Sequence, residues 1–339
     1  MTLQSSGEIR WSHIRNEFGA NISGGGVSLG RYRNSDSNFG NKNVGTLTDL
    51  PLDVNVPKSG TISASSFYGK RLNMVLDMYG GGTETRVNCR TRYNDSSKVK
   101  VVGGYRSRPS NTSNTRVIVN INKTFGSETG ATNKVAVRSG TWGGNCDLEF
   151  EIGSNGKIYG AGGNGGNGGS ADNGGGQNGS AGSTALGIEY SCTINNLGRI
   201  QSGYGGGGGG GGRREYRRSG KKGGKWVGSS GGGGGGGAGL PNGSGGNAPS
   251  DAYEGGSNGS DGGNGGNESS GQGGVGGASA GAGGDGGAVN NSSTKGENGT
   301  NNGGTGGNNG FALITTQGSL PTITGNGVVG RTQTSGSIS

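Results

Sequence analysis

Residues 203–226 read GYGGGGGGGGRREYRRSGKKGGKW: eight consecutive glycines, Gly205–Gly212, lead directly into seven basic side chains with a tyrosine and a tryptophan among them. Two structures are compatible with such a stretch. It is either a flexible linker that ends in a charged patch, or a stiff segment that carries an exposed loop. The arrangement of glycine in the rest of the chain decides between them.

The composition excludes an ordinary globular protein of this length. Of 339 residues 89 are glycine and only 25% are hydrophobic, which is too little apolar side chain to fill a core of that size. The apolar residues are concentrated before about residue 155, whereas residues 156–310 are dominated by Gly, Asn and Ser. We therefore expect a conventional N-terminal half and an unconventional glycine-rich half.

The glycine-rich half keeps a three-residue period. In residues 160–173 the non-glycine positions Ala161, Asn164, Asn167, Ser170 and Asn173 fall three apart, and only Ala171 and Asp172 break the period. The same spacing recurs in residues 261–267, 272–278, 282–288 and 302–308. Glycine-rich composition by itself favours disorder, but a disordered tail has no reason to keep a period.

Three residues per turn is the period of the polyproline-II helix, which has no internal hydrogen bonds and rises ~3.1 Å per residue. Two glycines in three let such helices bond to one another through their backbones, while the third residue faces outward to solvent. We predict a bundle of polyglycine-II helices in which Tyr204–Gly212 is a rod and Arg213–Trp226 is the loop it carries. Packing within one chain and packing between the three chains of a homotrimer both fit the pattern.

Residues 83–155 are predicted to form β-structure. Arg116–Ile121 and Cys146–Ile152 are rich in β-branched and aromatic residues, and the second run alternates apolar and acidic side chains. Shorter candidate strands are Thr85–Arg90, Lys98–Val102 and Asn133–Arg138. Because glycine and asparagine turns separate these five runs, they predict a small antiparallel sandwich.

Two further patterns predict how the ends of the glycine-rich half are built. Ile152–Ile158 and Ile194–Ile200 both fit I-x3-G-[KR]-I and both run into glycine, which indicates an internal duplication. Phe311–Thr316 and Thr322–Val329 are predicted to close one end of the bundle, which would otherwise expose unpaired backbone.

The first 70 residues begin with a short predicted helix, in which Ser12 is the expected cap and Ile14 and Phe18 share the apolar face. The helix belongs to a longer pattern that consists of Ile9, Ser12, Ile14, Glu17, Phe18, Gly19, Val27, Ser28, Leu29, Tyr32, Val56, Pro57, Ser59, Gly60, Ile62, Ser63, Ser65, Phe67, Tyr68 and Gly69. This pattern resembles a module that recurs in tail, baseplate and tail-fibre proteins of tailed bacteriophages. The resemblance implies a role in the virion, with this module as the attachment to the particle.

Residues 150–325 consist of glycine-rich blocks that are entered through a strand and separated by variable polar loops. In this pattern they resemble the tip adhesins of T-even-like phage long tail fibres. The resemblance implies a polyglycine-II scaffold whose distal loops contact a receptor on the bacterial surface. The N-terminal part departs from this family, so a cap on a separate fibre and a complete short fibre both remain open.

The basic and aromatic segment is the candidate binding site. Arginine suits phosphate and carboxylate geometry, and Tyr and Trp stack on sugars or fill pockets. The candidate receptor-binding residues are Arg213, Arg214, Tyr216, Arg217, Arg218, Lys221, Lys222, Lys225, Trp226 and Tyr253. Weaker candidates are Asp251 and Glu254, which flank Tyr253, and the segment 290–297. An ordinary solvated loop and an RNA-binding or single-stranded DNA-binding segment are the alternatives.

Signals for catalysis, metals and cofactors are poor, so an enzyme is not expected. His13 is the only histidine, and Asp147, Glu149 and Glu151 share the solvated face of one strand. No GxxxxGK[ST] motif occurs. Cys89, Cys146 and Cys192 are odd in number and widely spaced, which argues against disulfides and zinc. The N-terminus lacks a recognisable signal peptide, which predicts synthesis in the host cytoplasm.

Together these observations predict a mainly β and irregular protein. Its expected parts are a virion attachment module (1–80), a small antiparallel β-domain (81–155), a polyglycine-II bundle with exposed loops (156–310), and a closing strand and tail (311–339). We expect a phage tail-fibre adhesin that joins other tail or fibre proteins through residues 1–80. Its loops would bind a receptor, either lipopolysaccharide or an outer-membrane protein, and it would bind no nucleic acid.

Two other functions stay open from the sequence. One is a purely structural tail or baseplate protein whose glycine-rich half is a spacer. The other is an RGG-like nucleic-acid-binding protein, which the net charge of +9 favours and which requires a disordered residue range 156–310.

Overall fold

The fold combines a coil of short β-strands with a bundle of extended glycine-rich segments. The computed structural model describes residues 3–19, 28–33, 47, 50, 52–53, 56–57, 60–78, 83–102, 107–218, 223–289, 291–334 and 336–338. In these ranges no helix is long and apolar enough to cross a membrane.

Strands follow one another around three sheets, one strand per sheet in each rung. The first rung is β1 (Asn73–Met78), β2 (Thr83–Thr85) and β3 (Val87–Asn88), followed by helix α2 (Cys89–Tyr93), the 3-10 helix Ser96–Lys98 and β4 (Val99–Val101). The second rung is β5 (Arg116–Ile121), β6 (Thr124–Gly126) and β7 (Val135–Arg138), and the third is β8 (Asp147–Ile152), β9 (Lys157–Tyr159) and β10 (Thr184–Ile188).

The fourth rung is interrupted by most of the glycine-rich chain, whereas the fifth is continuous. The fourth is β11 (Cys192–Asn196), β12 (Arg199–Gln201) and, after the hairpin strands β13 (Arg213–Arg218) and β14 (Gly224–Ser229), β15 (Leu313–Thr315). The fifth is β16 (Thr322–Thr324), β17 (Val328–Val329) and β18 (Thr332–Gln333). The sheet orders are β16-β11-β8-β5-β1-β4, β17-β12-β9-β6-β2 and β18-β15-β10-β7-β3. This is a three-sided parallel β-helix.

The predicted antiparallel sandwich is therefore wrong. Neighbouring rungs pair in parallel, for example Val119 opposite Phe150 and Phe150 opposite Ile194, and within the three sheets only β1 and β4 pair antiparallel among the described strands. The alternation in β8 correctly predicts a strand with one buried face, because Leu148, Phe150 and Ile152 are buried. It cannot distinguish the two architectures, because both have one buried and one open face. The glycine and asparagine turns mark corners between sheets and not hairpins.

The sheets extend across the predicted domain boundaries. The division of the chain into four domains stays a prediction. β1 precedes residue 80 and β16 follows residue 311, yet both belong to the six-stranded sheet. The two C-terminal runs do not close the bundle as predicted, because β15 and β16 continue the sheets in parallel beside β10 and β11. The shared G-[KR]-I phrase is confirmed as one structural position, since Lys157 pairs with Arg199 and Ile158 with Ile200.

The N-terminal helix α1 (Trp11–Phe18) packs into an aromatic cluster. Ile14 and Phe18 are buried as predicted, and Phe18 and Tyr32 contact Phe67 edge to face at centroid distances of 5.5 and 5.7 Å. Tyr32 and Phe67 lie in the 3-10 helices Leu29–Tyr32 and Ala64–Phe67. The predicted Ser12 cap is wrong, because the helix begins at Trp11 and Arg10 is its N-cap. Val27 and Ser59 lie outside the described residues.

The glycine-rich insertions leave the β-helix at the corner after the second sheet, between β9 and β10 and between β12 and β15. They run back and forth as ten extended segments that bond to one another through their backbones. We number them in chain order: 160–169, 174–183, 202–212, 230–239, 242–250, 256–266, 271–278, 281–288, 292–298 and 302–310.

Segment 3, which contains Gly205–Gly212, has neighbours on all sides. Its successive N–H groups donate to three different segments, with Gly206 bonded to Ser180 O, Gly207 to Gly235 O and Gly208 to Thr294 O. Its successive carbonyls accept from three more: Gly205 O from Gly287, Gly206 O from Gly307 and Gly207 O from Gly166. Each glycine from Gly205 to Gly212 therefore faces another backbone and has no room for a side chain.

Segment 4, with Gly231–Gly237, is surrounded in the same way. Its backbone bonds reach segments 1, 3, 5, 6, 7 and 8. The other eight segments form a closed ring around segments 3 and 4, which is the geometry of a hexagonal array with two central members. The two uninterrupted glycine runs are thus the two central segments, and the runs of period three are peripheral.

The third residues of the peripheral segments have a role that their sequence pattern did not predict. Many of them accept hydrogen bonds from outward N–H groups of the next segment: Ser244 N–H donates to Asn164 Oδ1 (3.0 Å), Asn247 N–H to Asn167 Oδ1 (2.9 Å) and Gly273 N–H to Asp285 Oδ1 (2.8 Å). These side-chain oxygens replace the carbonyl of a missing neighbour. Asn, Asp, Ser and Thr therefore satisfy the edge of the bundle besides facing solvent.

The outer face of the six-stranded sheet contains a carboxyl group whose ionisation affects stability. Burial raises the pKa of Glu151 to about 7, and the neighbouring Glu149 adds to the effect, while the hydrogen bond from Asn195 opposes it. A carboxyl pKa that is higher in the folded state makes the protein more stable below pH 4.5. This contribution is lost as the pH rises through about 7.

We expect Glu151→Gln to stabilise the protein at pH 8 and to leave it unchanged at pH 4. The gain is at most about 3 kcal/mol, reduced by the partial exposure of the carboxyl. Thermal unfolding of both proteins at pH 4, 6 and 8 measures it. Glu128→Gln is the control, and it should destabilise the protein at pH 8. The reason is that the hydrogen bond from Arg86 lowers the pKa of the exposed Glu128. An equal effect of Glu151→Gln at all three pH values would contradict the assignment.

Candidate functional site at the distal end of the bundle

The turns between segments separate into two groups at opposite ends of the bundle. Three of them, at residues 239–242, 267–270 and 288–292, lie on the side of the β-helix. Ser127 N–H donates to Leu240 O (2.9 Å), and Tyr159 Oη and Arg199 contact Glu268 Oε1 at 3.1 and 2.8 Å. The other five lie at the far end, which we call the distal surface: 170–173, 213–229, 251–255, 278–280 and 298–301.

The five distal turns contact one another. Arg213 Nη1 donates to Ser279 O (3.3 Å), and Arg214 N–H donates to Thr300 Oγ1 (3.3 Å). Ala171 N–H donates to both carboxylate oxygens of Asp251, at 3.0 and 3.1 Å. The turns therefore form one surface, and the segment at 213–229 is its largest part.

In place of the predicted loop, Arg213–Arg218 and Gly224–Ser229 pair as the antiparallel strands β13 and β14, which we call the hairpin. Tyr216 lies opposite Trp226, and Arg214 opposite Gly228. The charged, aromatic and β-branched side chains of the two runs favour cross-strand pairing, and this explains why strands form here. Because side chains alternate along a strand, the hairpin has one face with Arg214, Tyr216 and Trp226 and another with Arg213, Glu215 and Arg217.

The first of these faces is a half-exposed aromatic surface. The rings of Tyr216 and Trp226 meet edge to face at 5.2 Å, and about half of each side chain is exposed, 50% and 47%. The Arg214 guanidinium lies 4.4 Å from the centre of the Trp226 ring. We call Arg214, Tyr216 and Trp226, together with Tyr253, the aromatic stripe.

Two glycines seat the tyrosines of the stripe. A Cβ at Gly224 would overlap the Tyr216 ring, whose hydroxyl accepts the Gly224 N–H at 3.0 Å. A Cβ at Gly228 would overlap the Tyr253 ring, and Gly228 and Tyr253 also form a β-bridge. Glycine at these two positions lets the rings lie flat on the strand.

The basic side chains of the hairpin are paired with carboxylates where the structure describes them. Glu215 contacts both Arg213 (2.6 Å) and Arg217, and the hydrogen bond from Arg217 lowers the pKa of Glu215. Arg214 pairs with Asp172 at 2.6 Å, and Lys225 pairs with Glu254 at 3.0 Å. The local positive charge is thus smaller than the run of Arg and Lys indicated. For Arg218 only the backbone is described, and Lys221 and Lys222 lie outside the described residues.

The structure brings together most of the predicted site residues from separate parts of the chain. Tyr253 joins the hairpin through Gly228, and its hydroxyl lies 3.4 Å from Asp172 Oδ1. Asp251 and Glu254 also lie at the distal surface. Most of the segment 290–297 does not, because its described residues begin beside the β-helix and only Glu297, whose carbonyl accepts the Gly211 N–H, reaches the distal end. Asn290 lies outside the described residues.

Sequence reasoning missed Asp172 and Glu215 as parts of the site. Asp172 contacts both Arg214 and Tyr253, so it holds two side chains of the aromatic stripe. The signal that could have found it is that Ala171 and Asp172 break the three-residue period, and Asp172 is the charged one of the two. The signal for Glu215 is that it is the one acidic residue inside the basic run, a position that favours an ion pair with the neighbouring arginines.

The three cysteines and the carboxylates give no second site. Cys89, Cys146 and Cys192 are buried free thiols, and burial raises the pKa of each. Within the described part of the chain no group of three or more His, Cys, Asp or Glu side chains has a metal-binding arrangement.

Comparison with known proteins places the chain in a family. The family model described as phage tail fibre adhesin Gp38 matches residues 37–338, which include the β-helix, the bundle and all five distal turns. No curated protein and no solved structure matches the chain. The chain therefore belongs to the Gp38 family of phage tail fibre adhesins, which recognise the host cell.

Proposed function

We propose that the ten glycine-rich segments are polyglycine-II helices and that they serve as a rigid scaffold for the distal surface. The support is the period of the backbone bonds. Gly162, Gly165 and Gly168 donate to Pro241, Ser244 and Asn247, so donors and acceptors both advance by three residues. A three-fold helix without internal bonds produces that register, whereas a flexible linker does not.

The distal surface of this scaffold binds the receptor of the host cell. The observation that carries this proposal is the convergence of five sequence-distant turns, including the aromatic stripe, at the end of the bundle opposite the β-helix. Tyr, Trp and Arg are the residues that dominate binding energy at protein surfaces, and a rigid support lowers the entropic cost of binding. The receptor is a surface molecule, lipopolysaccharide or an outer-membrane protein.

The remaining parts of the function follow from this division of the molecule. Residues 1–80 attach the adhesin to other tail or fibre proteins after synthesis in the host cytoplasm, and the protein acts in the virion tail by surface complementarity without catalysis or nucleic-acid binding. A homotrimer is not needed to complete the bundle, because the ring of peripheral segments closes within one chain. The spacer and RGG-like alternatives lose support, because the family is one of adhesins and the glycine-rich half has an ordered pattern of hydrogen bonds.

Exchange of the distal turns tests the proposal. We expect a chimera that carries the turns 170–173, 213–229 and 251–255 of a relative with another host range to bind the relative's host. These turns contact one another through Asp172, Asp251 and Tyr253, so they are exchanged together. The matched control exchanges the turn 267–270 at the other end of the bundle and should leave host range unchanged. An unchanged host range in the folded distal chimera would support the spacer function instead.

A further inference from the structure

A cavity lies at the base of the bundle, beside the β-helix. It has a volume of about 630 Å³ and lies where segment 10 enters β15, next to the turn after segment 8 and the strand β18. Small-molecule sites in proteins commonly have volumes of about 300–1,000 Å³. The bundle separates this cavity from the distal surface, so it is not part of the site described above.

The walls of the cavity carry hydrogen-bonding groups, one aromatic ring and one cation. The side chains used in the argument are Ser293, Asn308, Asn309, Phe311, Arg331 and Gln333. No Asp or Glu is among its described lining residues. Hydroxyls and carboxamides both donate and accept, which suits a ligand with several hydroxyl groups.

Some of these side chains are held by the surrounding backbone. Ser293 Oγ donates to Gly307 O (2.6 Å), and Asn309 Oδ1 accepts the Gly205 N–H (3.0 Å). The bond to Asn309 Oδ1 turns its amide nitrogen, which can only donate, away from the Gly205 backbone. The polar wall is therefore largely preorganised, which lowers the cost of ordering it around a ligand.

Arg331 supplies an uncompensated positive charge. Its guanidinium lies 4.7 Å from the centre of the Phe311 ring, and none of the ion pairs among the described residues includes it. This distinguishes Arg331 from the arginines Arg213, Arg214 and Arg217 of the hairpin, which have carboxylate partners. The planar guanidinium matches a carboxylate or phosphate group in a two-point contact.

We infer that this cavity binds an acidic saccharide, that is, a sugar carrying a carboxylate or phosphate group. Arg331 binds the anionic group, Phe311 supports the guanidinium and borders the sugar ring, and the hydroxyl and carboxamide groups bind the sugar hydroxyls. The site lies at the opposite end of the bundle from the distal surface, so its existence does not depend on receptor binding there.

Titration of the intact protein with four probes tests the inference. Saturable binding of N-acetylneuraminic acid or galacturonic acid, followed by ligand-observed NMR or calorimetry, is expected. Galactose, which lacks the anionic group, and inorganic phosphate, which lacks the ring, are each expected to bind at least about tenfold more weakly. Equal binding of phosphate would overturn the saccharide assignment, and equal binding of galactose would overturn the role of the charge.

Two arginine variants localise the binding. Arg331→Gln is expected to weaken binding of the acidic sugar by at least about tenfold, whereas Arg86→Gln, in an exposed ion pair with Glu128 on the β-helix, should leave it unchanged. Circular dichroism checks that both variants fold. A change in the chemical shifts of the Phe311 ring on addition of the sugar locates the site without any substitution. Absence of saturable binding by both acidic sugars, or equal binding in Arg331→Gln, would refute the inference.

Discussion

Replacing Gly208 by alanine is expected to disrupt the whole glycine-rich bundle. A Cβ at this position would overlap the Gly304 carbonyl oxygen in segment 10, and both groups belong to the backbone, so neither can move alone. Segment 3 bonds to six neighbours, and its displacement therefore disturbs most of the ring. We expect a loss of about 3 kcal/mol, the upper end of the range for overpacking, and a fall of the unfolding midpoint on the order of 10 °C.

Gly263→Ala and Gly175→Ala are the matched controls for this prediction. The nearest atom to a Cβ at Gly263 is Gln272 N at 3.4 Å, and at Gly175 it is Asn302 O at 3.5 Å. Both glycines lie in or beside peripheral segments, where the added methyl group meets ordinary contact distances. Because alanine restricts the unfolded chain, these variants should be neutral or more stable by up to about 1 kcal/mol.

Differential scanning calorimetry measures the unfolding midpoints of the three variants. Equal midpoints for Gly208→Ala and Gly263→Ala would show that segment 3 is not enclosed. Such a result would refute both the central position of the Gly205–Gly212 run and the polyglycine-II packing proposed for it.

Replacing Trp226 by alanine is expected to cause the largest loss of host binding. The ring is half exposed, stacks under Arg214 and contacts Tyr216, so its removal takes away an anchor and the support of two other side chains. Truncation of such an anchor commonly costs 2 kcal/mol or more, which corresponds to a decrease in affinity of roughly 30-fold. Adsorption of the purified adhesin to the bacterial strain on which the phage grows measures the effect.

Leu197→Ala is the control for Trp226→Ala. Leu197 is also half exposed, at 50%, but it lies at the corner between β11 and β12 of the β-helix. Its truncation should leave binding unchanged. Trp226→Phe, which keeps a ring, should fall between the wild type and the alanine variant. If Trp226→Ala adsorbs as well as Leu197→Ala while both stay folded, the aromatic stripe is not the receptor site.

The fold was only partly predictable from the sequence. The alternation of Leu148, Phe150 and Ile152 identified a strand with one buried face, and this prediction is confirmed. The pairing partners were not predictable, because Phe150 pairs with Val119 and Ile194, which lie 31 and 44 residues away. Local propensity contains no information on partners at such distances, and short turns favoured the hairpin interpretation.

The candidate site shows the same division. Charge and aromatic content identified residues 213–226 and Tyr253 as the candidate site. They did not predict which of its charged side chains would form ion pairs. Asp172 and Glu254 neutralise Arg214 and Lys225 from other turns, across sequence separations of 42 and 29 residues. An estimate of the site's charge from the run of Arg and Lys alone was therefore too high.

The three-residue period by itself predicted that the glycine-rich runs within residues 156–310 are extended segments with backbone contacts on several sides, because only glycine allows that approach. Only the tertiary structure decided the position of each segment. Gly205–Gly212 became a central member because all three of its faces meet other backbones. The Asn and Asp of the period-three runs lie at the periphery, where their side chains satisfy N–H groups that have no neighbouring carbonyl. The tertiary structure likewise turned the basic run that follows the eight glycines into a hairpin whose aromatic face lies among four other turns.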